Sequence, residues 1–196
     1  MIIDTHCHAG NNWFLPIESL EFEMKRAGVD GAVLIQHGGT YNNDYLFKEA
    51  GKRGDRFKVV VLVDPEDSDP LGTLEKLAEQ GAAGVRISPD GEFSALSDVT
   101  DIWRKTGELG LVVSSLGDDK RFSAGSFKKI VDACPETPIV IEHLAGVGIT
   151  DPPYAEYESA LELAERPNTT IKIPGLGEIT PRPPRLMPEF KFDNVP

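Results

Sequence analysis

The feature of this sequence that most limits its fold is the alternation of short apolar runs with longer amphipathic segments. Seven runs rich in Ile, Val and Leu lie at positions 2–3, 31–35, 59–63, 83–87, 111–113, 139–141 and 169–173. Segments with helical spacing of apolar residues lie between them, at 18–27, 43–53, 70–80, 95–109, 126–133 and 154–164. Runs that are apolar almost throughout are typical of parallel strands covered by helices. The pattern therefore predicts an α/β protein with a parallel sheet.

Repeated βα units build either an open doubly wound sheet or a closed barrel. No G-x-G-x-x-G motif follows the first run, so a dinucleotide-binding sheet loses its main support. We therefore predict a (β/α)8 TIM barrel, as one domain over residues 1–196. A complete barrel takes about 250 residues, and the pattern ends after the seventh strand in a proline-rich tail at about 180–196. We expect seven βα units, with the eighth strand missing.

Composition restricts the partners. Lys and Arg number 20 against 32 Asp and Glu, which gives a net charge of −12 without any basic cluster. Binding to nucleic-acid phosphates or to an anionic membrane needs concentrated positive charge, so we expect neither partner. A small-molecule substrate is the expected ligand. An open barrel exposes two strand edges, which invite pairing with another chain, so we also expect a homo-oligomer.

Two further absences bear on the compartment. No apolar run reaches the roughly 18 residues needed to span a bilayer, and no leader-like segment follows Met1. Cys7 and Cys134 are too few for a disulfide framework, which fits a reducing environment. We therefore expect a cytoplasmic protein whose thiols are packed in the interior.

All four histidines lie at or just beyond the carboxyl ends of predicted strands. His6 and His8 follow the first strand, His37 the second and His143 the sixth. In a barrel, that end carries the active site. Side chains two residues apart on a strand point to the same face, so His6 and His8 can meet one cation or one substrate oxygen. An isolated pair of this kind can also simply flank the end of a strand.

Three charged residues near these histidines each have two interpretations. Arg86 is suited to gripping a substrate carboxylate, or it can be an interior charge paired with Glu142 or Asp64. Lys172, at the end of the seventh strand, can face the pocket or pair with a carboxylate. Glu142 directly precedes the sixth-strand histidine, so on an extended strand it points to the opposite side, where it can support the site residues or have a purely structural role.

The segment Ile3-Asp4-Thr5-His6-Cys7-His8 resembles the opening signature of the amidohydrolase superfamily. The rest of the chain resembles its amidohydrolase-related branch, which contains lactonases and nonoxidative decarboxylases. The resemblance runs in order through VLIQ (33–36), NDYL (43–46), VDP (63–65), GAAGVRI (81–87), IEHLAG (141–146) and RPN (166–168). The VLIQ, GVR and EHLAG segments are most similar to sugar-lactone and pyrone-dicarboxylate lactonases.

This resemblance implies a reaction and a set of site residues. His6, His8 and His143 would be catalytic and would hold a divalent metal ion, zinc first and manganese as an alternative, although some relatives work without metal. Arg86 would bind substrate. His37, in a glycine-rich loop, is a further substrate-binding candidate, with an exposed loop position as the other interpretation. The implied activity is hydrolysis of a lactone, or of a similar small carboxylated cyclic ester, by water attack on a polarised carbonyl.

Two departures from the family pattern leave alternatives open. The fifth strand ends in Ser114-Ser115, without the histidine that metal-dependent decarboxylases of the family use as a ligand. This favours a lactonase over a decarboxylase. The catalytic Asp that ends the eighth strand in the family has no counterpart here, since Asp193 lies in the tail without a preceding strand. A catalytically incomplete fragment or a binding homologue is therefore the second alternative.

Overall fold

Seven parallel strands form one sheet in the computed structural model of the protein, which describes residues 1–149 and 154–175. The strands lie side by side in chain order, and each pairs in parallel with the next. They are β1 (Ile3–Cys7), β2 (Gly31–Ile35), β3 (Phe57–Val61), β4 (Ala82–Ile87), β5 (Val112–Ser115), β6 (Ile139–Ile141) and β7 (Thr169–Ile171).

Helices occupy the connections between these strands. They are α1 (Ile17–Ala27), α2 (Asp44–Gly51), α3 (Pro70–Glu79), α4 (Thr100–Glu108), α5 (Asp119–Ser123), α6 (Gly125–Ala133) and α7 (Ala155–Leu161). Sequential parallel strands with a helical crossover between neighbours are the architecture of a TIM barrel, here as a half-barrel over the described residues. The predicted fold is confirmed. The short helix α5 was not predicted, because its five residues are too few to show a helical period.

The apolar core lies between the outer face of the sheet and the helices. Val85 and Val113, which are register partners on β4 and β5, are both fully buried in it. Trp103 of α4 and Phe127 of α6 are also fully buried, and their rings meet edge to face with centroids 5.8 Å apart. This layer covers one face of the strands completely, and most residues of the other face are buried as well, as in β2 and β3, so the strands are apolar almost throughout.

The inner face of the sheet is polar at its carboxyl end. At Gly84, a Cβ atom would lie 2.5 Å from the backbone oxygen of Val112, so only glycine allows β4 and β5 to approach this closely. Two residues further along the strand, Arg86 is the first charged residue of β4, and its side chain lies on this inner face.

Cys7 and Cys134 are both free thiols buried in the interior, as expected. Burial and the neighbouring Asp4 raise the pKa of Cys7 to about 12, so its thiol is inert at neutral pH. Within the described parts of the chain, no helix has the length and apolarity needed to cross a membrane. The predicted tail at about 180–196 and Asp193 lie outside the described residues.

Candidate active site

The two first-strand histidines face each other at the carboxyl end of β1. Pairing between β1 and β2 shifts by one residue between Asp4 and Cys7, which marks a bulge in β1. The Nε2 atoms of His6 and His8 lie 3.1 Å apart. The Nδ1 atom of His8 donates to the backbone oxygen of Ile35 at 2.7 Å, and this bond orients its ring. The predicted pairing of these two side chains is therefore present.

Lys172 contacts the other side of the His6 ring. It lies directly after β7, its side chain is buried, and its Nζ atom is 2.9 Å from Nδ1 of His6. The same ammonium group donates to the backbone oxygen of Thr5 at 3.3 Å. Lys172 therefore points towards the histidine group, in line with the first of its two interpretations, and it links β7 to β1 across the opening of the half-barrel.

His143 joins this group because the chain turns sharply after β6. His143, Leu144 and Ala145 have φ angles of 54°, 51° and 54°, in the left-handed region that non-glycine residues rarely adopt. The His143 ring lies 4.5 Å from that of His6, measured between centroids. Three of the predicted histidines thus meet at one place, although they come from distant parts of the chain.

The left-handed turn also changes the position of Glu142, which was expected on the opposite side of the strand from His143. Its Oε1 lies 3.8 Å from Nδ1 of His6, and its Oε2 lies 3.6 Å from Nε2 of His143. The expectation assumed strand alternation through residue 143, whereas β6 ends at Ile141. Both neighbouring side chains therefore reach the same site, and the expected orientation of Glu142 was wrong.

Glu142 is fully buried and is held by three hydrogen bonds. Arg86 donates to both of its carboxylate oxygens, at 3.2 Å from Nε and 2.6 Å from Nη2, and Ser114 Oγ donates to Oε1 at 2.6 Å. Burial by itself raises the pKa of this carboxyl, but the charge and hydrogen bonds of Arg86 outweigh it and lower the pKa to about 2. Glu142 is therefore an anion at all ordinary pH values.

Of the two interpretations of Arg86, the structure shows the pairing with Glu142 rather than with Asp64. Arg86 also lines the same pocket as the histidines, so the pairing leaves its predicted contact with substrate available.

The two first-strand rings are neutral at physiological pH. Burial lowers the pKa of His6 to about 3, with the nearby Glu142 opposing and Lys172 reinforcing the shift. Burial also lowers the pKa of His8, against the effect of its hydrogen bond to Ile35. Neutral imidazole is the form that binds a metal ion or accepts a proton.

His37 lies beside the histidine group rather than in it. The centroids of its ring and the His8 ring are 6.4 Å apart, and the Phe14 ring contacts both of them. Phe14 stacks on His8 at 4.4 Å and meets His37 edge to face at 5.0 Å. Phe14 was not predicted as a site residue, although its place in the loop after β1 puts it at the carboxyl end of the sheet.

Two adjacent pockets open at this end of the sheet. The first, of about 520 Å³, is lined by the three clustered histidines and Arg86, together with Asp4, Thr5, Leu116, Ile173, Pro174 and Gly175. The second, of about 320 Å³, is lined by His37 with amide and hydroxyl side chains, among them Asn11, Asn42 and Tyr45. The structure therefore brings together four of the five predicted site residues and places the fifth in the neighbouring pocket.

The donor atoms of the first pocket fit a divalent cation. Two nitrogen ligands of a tetrahedral zinc ion are separated by roughly 3.3 Å, close to the 3.1 Å between the Nε2 atoms of His6 and His8. The bond from His8 to a backbone carbonyl is the usual support of a ligating histidine. Ligand atoms of His6, Glu142 and His143 also lie within 4.8 Å of one another. Because Arg86 and Ser114 already occupy the Glu142 oxygens, the imidazoles are the stronger ligand candidates.

Comparison with solved structures supports the fold. The first likeness is to a probable 2-pyrone-4,6-dicarboxylic acid hydrolase from Acinetobacter baumannii with citric acid bound, at 21% identity over 93% of this chain and 73% of that chain, with a TM-score of 0.72. An amidohydrolase from Burkholderia multivorans with bound zinc is 17% identical over 92% of this chain and 72% of that chain, with a TM-score of 0.71. The amidohydrolase 2 of Bifidobacterium longum subsp. infantis is 20% identical over 91% and 77%, with a TM-score of 0.62.

The family itself is shown by sequence. No curated protein matches the chain. A family model described as amidohydrolase, however, matches residues 3–195, almost the whole sequence. The match includes both histidines of the first strand and the strand ends that carry the rest of the site. The chain therefore belongs to the amidohydrolase family.

Proposed function

We propose that this protein hydrolyses a lactone, or a similar small carboxylated cyclic ester, by attack of water on a polarised carbonyl. The observation that carries the proposal is the meeting of His6, His8 and His143 with the Arg86–Glu142 pair in one pocket. Neutral imidazoles beside a fixed carboxylate and a guanidinium can polarise a carbonyl, accept a proton and hold an anionic substrate. The likeness to a probable pyrone-dicarboxylic acid hydrolase supports a lactone as the substrate class.

The fifth strand favours this reaction over nonoxidative decarboxylation. Ser114 donates to Glu142, and Ser115 donates to the backbone oxygen of Ile87 at 2.8 Å. Both hydroxyls are thus engaged in holding the strands, and neither side chain is a good zinc ligand. A decarboxylase that needs a tightly held metal would have one ligand fewer at this strand.

His6 and His8 would hold the divalent cation through their Nε2 atoms. When bound, such a cation supplies Lewis-acid polarisation of the substrate carbonyl and lowers the pKa of a coordinated water. Zinc suits two imidazole ligands, and manganese is the alternative. His143 was predicted as a third ligand, and its ring is close enough to His6 for that role.

His143 is also the histidine best placed to move the proton of the attacking water. Nε2 of His143 lies 3.6 Å from the Glu142 carboxylate, which stabilises the charge that the ring acquires when it takes a proton. The proton then passes to the ring oxygen of the lactone as the C–O bond breaks, which yields the open hydroxy acid.

Arg86 and the loop aromatics would orient the substrate. Of the five N–H groups of Arg86, two donate to Glu142 and one to the backbone oxygen of Gln36 at 3.3 Å, as far as the described residues show. Two donors remain for a substrate carboxylate. Phe14 provides a flat apolar wall beside His8, and His37 extends the polar surface into the adjoining pocket.

The test is a substrate panel offered to the full chain with zinc supplied. Sugar lactones and pyrone dicarboxylate are followed by acid release in a pH-stat, and aromatic carboxylic acids are followed by release of CO₂. We expect acid release from at least one lactone and a loss of at least a hundredfold in His143→Ala. Release of CO₂ without lactone hydrolysis would establish the decarboxylase, and turnover of no compound would favour a binding homologue.

Zinc stoichiometry separates the two roles given to His143. If His143→Ala loses activity but keeps its zinc, the ring moves a proton. If the variant loses zinc as well, the ring is the predicted third ligand, and proton transfer must be assigned to another group.

A further inference from the structure

A run of three hydrogen bonds crosses the pocket through the two first-strand rings. Lys172 Nζ lies 2.9 Å from His6 Nδ1, His6 Nε2 lies 3.1 Å from His8 Nε2, and His8 Nδ1 lies 2.7 Å from the backbone oxygen of Ile35. All three distances are within ordinary hydrogen-bond range.

The two ends of this run fix the direction of every bond in it. A lysine ammonium group only donates, so Nδ1 of His6 must accept and the single ring proton of neutral His6 must be on Nε2. A backbone oxygen only accepts, so the ring proton of His8 is on Nδ1 and its Nε2 accepts from His6. Each neutral ring therefore uses both of its nitrogens, and the pair is satisfied without a metal ion.

We propose that Lys172 is a positioning residue that holds His6 in its Nε2-protonated tautomer and thereby weakens cation binding by the His6–His8 pair. This inference rests on the proposed cation site but concerns a residue outside the ligand set. Lys172 reaches His6 from the far edge of the sheet, since it follows β7 whereas His6 is on β1.

The competition follows from where the proton must go. A cation on Nε2 of His6 needs the lone pair of that nitrogen, so the ring proton must move to Nδ1. An N–H there would point at the ammonium group of Lys172, which has nothing to accept it with. The Glu142 oxygen that faces the same nitrogen is 3.8 Å away, beyond hydrogen-bond distance, and already accepts from Arg86 and Ser114. The positive charge of Lys172 adds a direct repulsion of the cation.

The tautomer is measured directly by long-range ¹H–¹⁵N correlation spectroscopy on the metal-free, uniformly ¹⁵N-labelled full chain at pH 7.5. The sequence has only four histidines, so His6 can be assigned from a His6→Gln variant. We expect a protonated Nε2 and a bare Nδ1 on His6. A proton on Nδ1 of His6 in the wild-type chain would overturn the proposal.

Zinc affinity, measured by competition with a chromophoric chelator, gives the second readout. Lys172→Met removes the ammonium group, and we expect zinc to bind at least tenfold more tightly than to the wild-type chain. Lys172→Gln should bind more tightly still, because its amide oxygen can accept a proton from Nδ1 and support the ligand. The matched control is Lys58→Met, which removes an exposed lysine that pairs with Asp55. An unchanged affinity in both Lys172 variants would contradict the proposal.

Lys172→Arg is the control for a loss of structure caused by substitution at this position. Arginine keeps a cationic donor, so this variant should retain the wild-type tautomer and the wild-type zinc affinity. If the uncharged variants fail to fold, a proton on Nδ1 of His6 or a changed zinc affinity in the arginine variant would contradict the proposal. Neither readout uses a substrate, so the absence of lactone hydrolysis would refute the proposed function while leaving this inference standing.

Discussion

The two faces of the central strands are stabilised by different interactions, although consecutive residues of one strand point to them in turn. Val85 and Val113 point into a fully apolar layer, and the next residues, Arg86 and Ser114, meet the buried carboxylate of Glu142. Apolar burial stabilises the outer face almost independently of pH. The inner face depends on charges that are costly to bury and stable only when paired. The outer face therefore holds the fold, and the inner face provides the chemistry.

The largest expected effect is on the outer face. Phe127 is fully buried and packs edge to face on Trp103 and Phe122. Phe127→Ala should lower the free energy of unfolding by about 4 kcal/mol, because it removes buried area and leaves a cavity. Urea denaturation measures this change. Zinc affinity per folded molecule should be unchanged, and a loss of less than about 1 kcal/mol would show that this layer is not the core.

Glu142→Gln tests the inner face, with an expected loss of about 3 kcal/mol in the same experiment. The substitution keeps the shape of the side chain but leaves the Arg86 guanidinium buried without a counter-charge. The double variant Arg86→Met/Glu142→Leu removes both charges and should recover most of the loss. If the double variant is as unstable as the single one, the pair is not the reason for the instability.

The pH dependence of stability distinguishes the two faces most clearly. Burial lowers the pKa of His6 from 6.5 to about 3, and Arg86 outweighs burial to lower the pKa of Glu142 from 4.5 to about 2. Both groups bind fewer protons in the folded than in the unfolded state, so stability should fall as pH drops from about 6.5 to 2.

Denaturation at a series of pH values measures this slope in three variants. Phe127→Ala should shift the whole curve downwards without changing its slope. His6→Gln should flatten it between about pH 6.5 and 4.5, and Glu142→Gln should flatten it below about pH 5. A wild-type curve that is flat over this range would contradict the assignment of both charges.

The smallest expected effect is that of His37→Ala. His37 is half-buried in the adjoining pocket, where its Nδ1 bonds to the backbone oxygen of Gly38 at 2.8 Å. Its removal should change stability by less than about 0.5 kcal/mol and reduce kcat/KM for a lactone by about tenfold or less. A loss as large as that of His143→Ala would place His37 in the reacting group.

Much of the fold could be predicted from the sequence because parallel strands bury both faces and so read as continuous apolar runs. The predicted run at 31–35 coincides with β2, and the run at 139–141 coincides with β6. The predicted first strand was too short, because Asp4, Thr5 and His6 are polar yet belong to β1. These residues are polar because the candidate site lies at the carboxyl end of β1. Their polarity does not mark the point where the strand stops.

The site could be predicted only as far as strand ends and side-chain types allow. The positions of His6, His8 and His143 followed from the rule that barrel chemistry lies at the carboxyl ends of strands. The role of Glu142 did not, because it depends on the left-handed turn that begins at His143, where no glycine signals a positive φ. The contact between Lys172 and His6 joins residues that are 166 positions apart, and no local pattern predicts such a pair.

In the proposed site, the inner face holds a cation between the two histidines of the first strand. Equilibrium dialysis against saturating zinc, with the metal quantified by elemental analysis, tests this claim in the wild-type chain and in the double variant His6→Ala/His8→Ala. We expect about one zinc ion per wild-type chain and none at this site in the double variant. Equal zinc content in the two proteins, or none in the wild-type chain, would contradict it.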